Sequence, residues 1–139
     1  MKIAVRYYSR GGNTKKVAEA IAQALGVKAE TVERPLEEKT EMVFLGSAVY
    51  AAGVDEEVKR FLRRNADKIG TLYSFSTAAL LPSTYPQIRK LAEECGIRLS
   101  EREFHCRGSF ALLHRGRPNE GDLTRAAAFA KLAVKKAGQ

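Results

Sequence analysis

Residues 2–25 change their hydrophobic period abruptly, and the change confines the chain to few folds. Ile3, Ala4, Val5, Tyr7 and Tyr8 form a nearly continuous apolar run with β-branched and aromatic residues, the composition of a strand covered on both faces. Ser9-Arg10-Gly11-Gly12-Asn13-Thr14 interrupts it with residues suited to turns and positive φ. Val17, Ile21, Ala24 and Leu25 then recur at helical spacing, and Gly26 supplies a stop. The reading is a buried strand over Lys2–Tyr8, a tight loop, and a helix from about Asn13 or Thr14 to Leu25.

The same alternation continues to the end of the chain. Val27–Val32 reads as a strand, Pro35 opens a short polar connection, and Met42–Gly46 reads as a fully buried strand. The connection leaves room for at most a very short helix. Ser47–Val54 is a small-residue loop around Tyr50. Asp55 is placed to cap a helix reaching Asn65, with Val58, Phe61 and Leu62 as its apolar stripe. Ile69–Ser76 supplies a fourth strand and Thr77–Thr84 a loop. Tyr85, Ile88, Leu91, Ala92 and Cys95 mark a helix that begins at Pro86's preferred first turn and stops at Gly96. Leu99–Cys106 alternates like a half-exposed edge strand, Gly116–Gly121 is a loop, and Asp122 is the expected N-cap of a last helix over Leu123–Lys136. Strands separated by helices imply a parallel sheet with helices on both faces. The expectation is one α/β domain over residues 1–139, doubly wound, five-stranded and three-layered. Ligands in such folds sit at the carboxyl ends of the strands, where strand order reverses.

Charge narrows the partners only partly. The 24 Lys and Arg exceed the 16 Asp and Glu, a net charge of +8. The basic residues are dispersed, and the tightest cluster, Lys59-Arg60 with Arg63-Arg64, falls on the polar side of the helix after Asp55. A solvated helix face is the ordinary account of such a cluster, so nucleic acid is not the expected partner. No apolar run approaches the roughly 20 residues of a membrane-spanning helix, and the N-terminus lacks a signal-like apolar segment, so a cytoplasmic location is expected. Cys95 and Cys106 match neither a disulfide framework nor a zinc or CxxC pattern and read as apolar fillers. His105 and His114 lack metal-ligand spacing, and no metal is expected.

The loop Ser9–Thr14 carries the chemistry. Its two glycines let successive N–H groups point into one concavity at a helix N-terminus, where the macrodipole favours an anion. Ser9, Asn13 and Thr14 add donors and Arg10 a charge, a set suited to phosphate. A tight turn that binds nothing accounts for the same residues. Neither G-x-x-x-x-G-K-[ST] nor G-x-G-x-x-G is present. No acid–base or nucleophilic constellation appears, so no catalytic residue is assigned.

Tyr8-Ser9-Arg10-Gly11-Gly12-Asn13-Thr14, followed by an amphipathic helix, resembles the phosphate loop of flavodoxins, [ST]-x-[ST]-G-[NQ]-[ST]. Phe44-Leu45-Gly46-Ser47-Ala48-Val49-Tyr50-Ala51-Ala52-Gly53 resembles the end of the third strand and the first flavin loop, and Ser76–Ala79 stands where the second would be. The resemblance implies strand order 2-1-3-4-5 and bound FMN, its phosphate on Ser9, Arg10, Gly11, Gly12, Asn13 and Thr14. It places Ala48, Val49, Tyr50, Ala51, Ala52 and Gly53 along the ring, with Tyr50 against it and Ala52-Gly53 as the peptide facing flavin N5. Thr77, Ala78 and Ala79 would line the pyrimidine side. Arg107-Gly108-Ser109 is a candidate rim. The chain departs from the pattern at Gly11, where a hydroxyl is usual, in having no Trp, and in its positive charge.

The function implied is electron transfer by FMN, with redox proteins bearing an acidic docking face as partners. Two other readings stay open. One is an FMN-dependent reductase or oxidase on the same fold, of quinone or protoporphyrinogen type. The other is a regulatory binding module without redox work.

Overall fold

A computed structural model of the chain describes residues 1–50, 53–78, 83–108 and 116–139, with the backbone alone at residues 49, 50 and 53. Within these, the elements follow the alternation closely. Strand β1 is Ile3–Tyr7, helix α1 Asn13–Leu25, β2 Ala29–Thr31, β3 Thr40–Tyr50, β4 Gly53–Val54 and α2 Glu56–Asn65. A 3-10 turn at Ala66–Lys68 leads into β5, Ile69–Ala78; α3 is Tyr85–Cys95, β6 Phe104–Arg107 and α4 Glu120–Ala137.

Five strands run parallel in the order β2-β1-β3-β5-β6, while the two-residue β4 folds back antiparallel on the end of β3. Counting the parallel strands alone, the order is 2-1-3-4-5, the doubly wound arrangement expected. The central strand β3 shows why its sequence is apolar throughout. Met42 and Phe44 face one layer with Val17 and Ile21 of α1 and Ala126 and Ala130 of α4. Val43 and Leu45 face the other, with Val58, Phe61 and Leu62 of α2 and Ile88 and Leu91 of α3. A strand covered on both faces has no polar side to alternate with.

Several boundaries differ from those read off the sequence. β3 and β5 do not stop at Gly46 and Ser76. They stay paired through Ser47 with Ser76 and Ala48 with Thr77, so Ala48, Thr77 and Ala78 are strand residues and not loop. Small and hydroxylated side chains weaken strand propensity, but the ladder between two central strands carries them. The edge strands contract instead, to Ala29–Thr31 and Phe104–Arg107, where only one neighbour supports them. Leu99 keeps a single bridge to Leu72. Asp122 is not the N-cap of α4. Asn119 is, and Asp122 is its partner three residues on, each side chain accepting from the other's backbone N–H.

No helix links β2 to β3. Three side chains hold that connection by its backbone. Buried Arg6 donates to the carbonyls of Arg34 and Pro35 and pairs with Glu30; Asn65 Oδ1 accepts from Leu36 N–H; Lys68 donates to the Leu36 carbonyl. Desolvation lowers the Arg6 pKa, with Glu30 opposing it. A connection too short for a helix thus meets its backbone hydrogen-bond needs through side chains.

Candidate functional site

β1 delivers the chain to Ser9 at the carboxyl edge of the sheet, between β2 and β3, where connections leave in opposite directions. The loop turns on Gly12, whose φ of 90° lies in the left-handed region, and whose N–H donates to Ser9 Oγ at 3.0 Å. Gly12 is also the N-cap of α1, so no side chain caps that helix, and its first turn holds no acidic residue. Exposed Lys15 and Lys16 stand there instead. α2 and α4 differ: Asp55 caps α2 through Glu57 N–H, and α4 carries the Asn119–Asp122 box, while α3, like α1, has no bond from its N-cap side chain and no acidic residue in its first turn, its Tyr85 N–H being met by Ser83 Oγ. An uncapped helix start with two lysines in its first turn accommodates an anion and gains from one.

The loop is fixed from three directions. Arg10 donates to Asp55 Oδ2 at 2.8 Å, tying it to the start of α2. Arg10's pKa is raised by that hydrogen bond. Asp55's is lowered: burial pushes it up, but the Glu57 N–H and Arg10 outweigh burial. Thr14 Oγ1 lies 2.8 Å from Thr77 Oγ1, joining the loop to the end of β5. Asn13 packs against Gly108, just past β6, where an added Cβ would meet its Nδ2 at 2.8 Å. Of the candidate rim, Gly108 therefore lies against the loop. Ser109 lies outside the described residues, as do Ala51, Ala52, Ala79 and His114, and the placement of Val49, Tyr50 and Gly53 against a ring concerns side chains and contacts that are also outside them.

A second group of hydroxyls lies on the opposite face of β3 and β5. Ser47 Oγ is 2.8 Å from Thr84 Oγ1, and Thr84 N–H donates to Ser76 Oγ, so the start of α3 is bonded to both strands. Sequence reasoning named Ser47 and Ser76 only within the two flavin-loop segments, and missed Thr84 as their partner and Asp55 as the partner of Arg10. Each lies in a run of ordinary turn residues, and nothing in its spacing marks its partner.

Among the described residues, a Cβ at Gly11 or Gly12 would touch nothing within 4 Å. Backbone donors, hydroxyls and an uncapped helix dipole fit a phosphate monoester there. A family model described as a flavodoxin domain matches residues 4–96, two thirds of the chain. The chain belongs to that flavodoxin domain family. It is 26% identical over 150 residues to an uncharacterized protein of Methanocaldococcus jannaschii, covering 97% of this chain and 99% of the relative. Its fold is similar to that of a flavodoxin from the domain Archaea, with TM-score 0.81, 18% identity and all of both chains covered. Flavodoxin 1 of Bacillus cereus superposes with TM-score 0.74 at 17% identity, over 97% of this chain and 98% of its own. A flavodoxin, WrbA-like protein of Agrobacterium tumefaciens does so at 0.66 and 18%, over 96% and 97%. At these identities the likeness is one of fold. Membership of a flavodoxin domain family implies a flavin, and the donors of the loop Ser9–Thr14 suit a phosphate.

Proposed function

We propose that this chain holds FMN non-covalently and carries electrons between protein partners. The observation that supports the reading best is the bare N-terminus of α1, opening at the strand-order reversal of a flavodoxin domain. Ser9–Thr14 binds the phosphate through backbone N–H groups and hydroxyls. The Arg10–Asp55 pair holds the loop's position, so little ordering is needed on binding. The ends of β3 and β5 flank the ring, and residues 48–53 and 77–79 are assigned to its two edges. Bound FMN supplies the redox chemistry. Among the described residues no group of His, Cys, Asp or Glu is arranged to hold a metal, and none of their helices is long and apolar enough to cross a membrane.

The net charge of +8 favours acidic partners, since complementary fields steer encounter. Reduced, FMN-loaded protein mixed with an acidic and a basic one-electron acceptor protein tests both parts. A carrier delivers electrons to the acidic acceptor at a rate that falls as salt rises. A rate that ignores salt contradicts the acidic partner. Steady turnover of NADH or quinone by the chain alone contradicts the carrier and points to an enzyme on this fold.

A further inference from the structure

Thr14 and Thr77 are 63 residues apart in sequence, yet their hydroxyl oxygens lie 2.8 Å from each other, and the two residues are only 1% and 3% exposed. Two hydroxyls hold two protons, and one bond between them uses one. Among the described residues neither hydroxyl has a second partner. One proton of the pair is therefore left without an acceptor among the described residues, which is costly for a group so little exposed.

How Thr14 is held bears on which proton is spare. A Cβ on Gly46 would lie 2.9 Å from Thr14 Cγ2, so the methyl group rests against β3 and fixes the side chain's rotation. Its Oγ1 faces β5 and Thr77. Thr14 stands in the first turn of α1, in the loop that cradles the anion, whereas Thr77 belongs to the strand beside it. We propose that Thr77 is a positioning residue: its hydroxyl donates to Thr14 Oγ1, leaving the Thr14 proton to be given to the flavin phosphate. This rests on the FMN reading above. The donated bond polarises the Thr14 hydroxyl and strengthens its bond to the phosphate. The sheet's fourth parallel strand thereby sets the proton direction in a loop that follows the first.

The test compares FMN with riboflavin, which lacks the phosphate, on wild type, Thr77→Val, Thr77→Ser and Thr14→Val. Thr77→Val keeps the shape and removes the donor. It is expected to weaken FMN by about two- to threefold, the size of a lost cooperative strengthening while Thr14 keeps its own bond to the phosphate, and to leave riboflavin unchanged. Thr77→Ser is expected to restore FMN affinity. In a Thr14→Val background, Thr77→Val is expected to cost nothing further, because the residue acts through Thr14. Equal weakening of both flavins overturns the proposal, since Thr77 would then serve packing or the ring. So does an unchanged FMN affinity, or an additive double variant. Wild type that binds FMN no better than riboflavin overturns the phosphate reading itself, and the role of Thr77 falls with it. Far-UV circular dichroism and thermal midpoints of every variant show whether a loss comes from unfolding.

Discussion

At Gly46 a hydrogen stands where any side chain would collide. An added Cβ would sit 2.3 Å from Cε2 of Phe75 and 2.9 Å from Cγ2 of Thr14. The glycine lets a fully buried aromatic ring on β5 and the first turn of α1 press against the same point of β3. Overpacking of this kind usually costs 1–3 kcal/mol, about that being expected for Gly46→Ala in a denaturant titration. Because Thr14 is displaced along with the Phe75 ring, the variant is also expected to bind FMN more weakly than wild type, and a fall in stability with unchanged FMN affinity would contradict the link between them. Cys106 illustrates burial without function: desolvation pushes its thiol up to about 11, with Asp122 adding to the shift, and an unionised thiol is inert at neutral pH.

At the scale of elements, the helices divide by how they begin. α2 and α4 satisfy their first N–H groups from within, through Asp55 and through Asn119 with Asp122, and α3 uses Ser83 Oγ for the Tyr85 N–H, whereas on the function proposed above α1 leaves that role to a ligand. Asp122 is fully buried and accepts two hydrogen bonds from Arg117, at 2.6 and 2.7 Å, one from Asn119 N–H, and one from Arg125. The Arg117 hydrogen bonds lower its pKa and prevail over burial, which would raise it. A carboxyl whose folded pKa lies below its unfolded value of about 3.9 stabilises the fold above that value and ceases to as pH falls through the folded pKa. The wild type is therefore expected to lose stability on acidification below about pH 4 more steeply than Asp122→Asn. Parallel curves of thermal midpoint against pH would contradict this. On sequence Asp122 is the expected cap; Asn119, three residues earlier, is as competent chemically, and the backbone conformation at Asn119 decides between them. The ends of β3 and β5 were illegible for another reason. Ser47, Ala48, Thr77 and Ala78 have loop-like composition, and the ladder that keeps them extended joins strands about thirty residues apart.

Across the whole molecule, what was legible is what is contiguous in sequence. The alternation of apolar runs and helical stripes gives the parallel sheet, and the strand–loop–helix unit gives the anion cradle, because all its parts lie within residues 3–25. The order of the strands came only with the family resemblance, since periodicity says nothing about neighbours. The ties that hold the cradle were hidden, because Arg10 reaches 45 residues to Asp55 and Thr14 reaches 63 to Thr77. Everything functional in this account depends on that cradle being a phosphate site. The most direct measurement is a titration of the apoprotein with FMN, followed by visible absorption, for wild type and Gly11→Asp. Gly11 lies outside the left-handed glycines, and among the described residues a Cβ there meets nothing within 4 Å, so the carboxylate enters without strain and places a negative charge where the proposal puts the phosphate. The account predicts one FMN bound per wild-type chain with a perturbed flavin spectrum, and loss of that binding in a Gly11→Asp chain that remains folded. Wild type that binds no flavin at excess FMN, or Gly11→Asp that binds it equally well, would contradict the account.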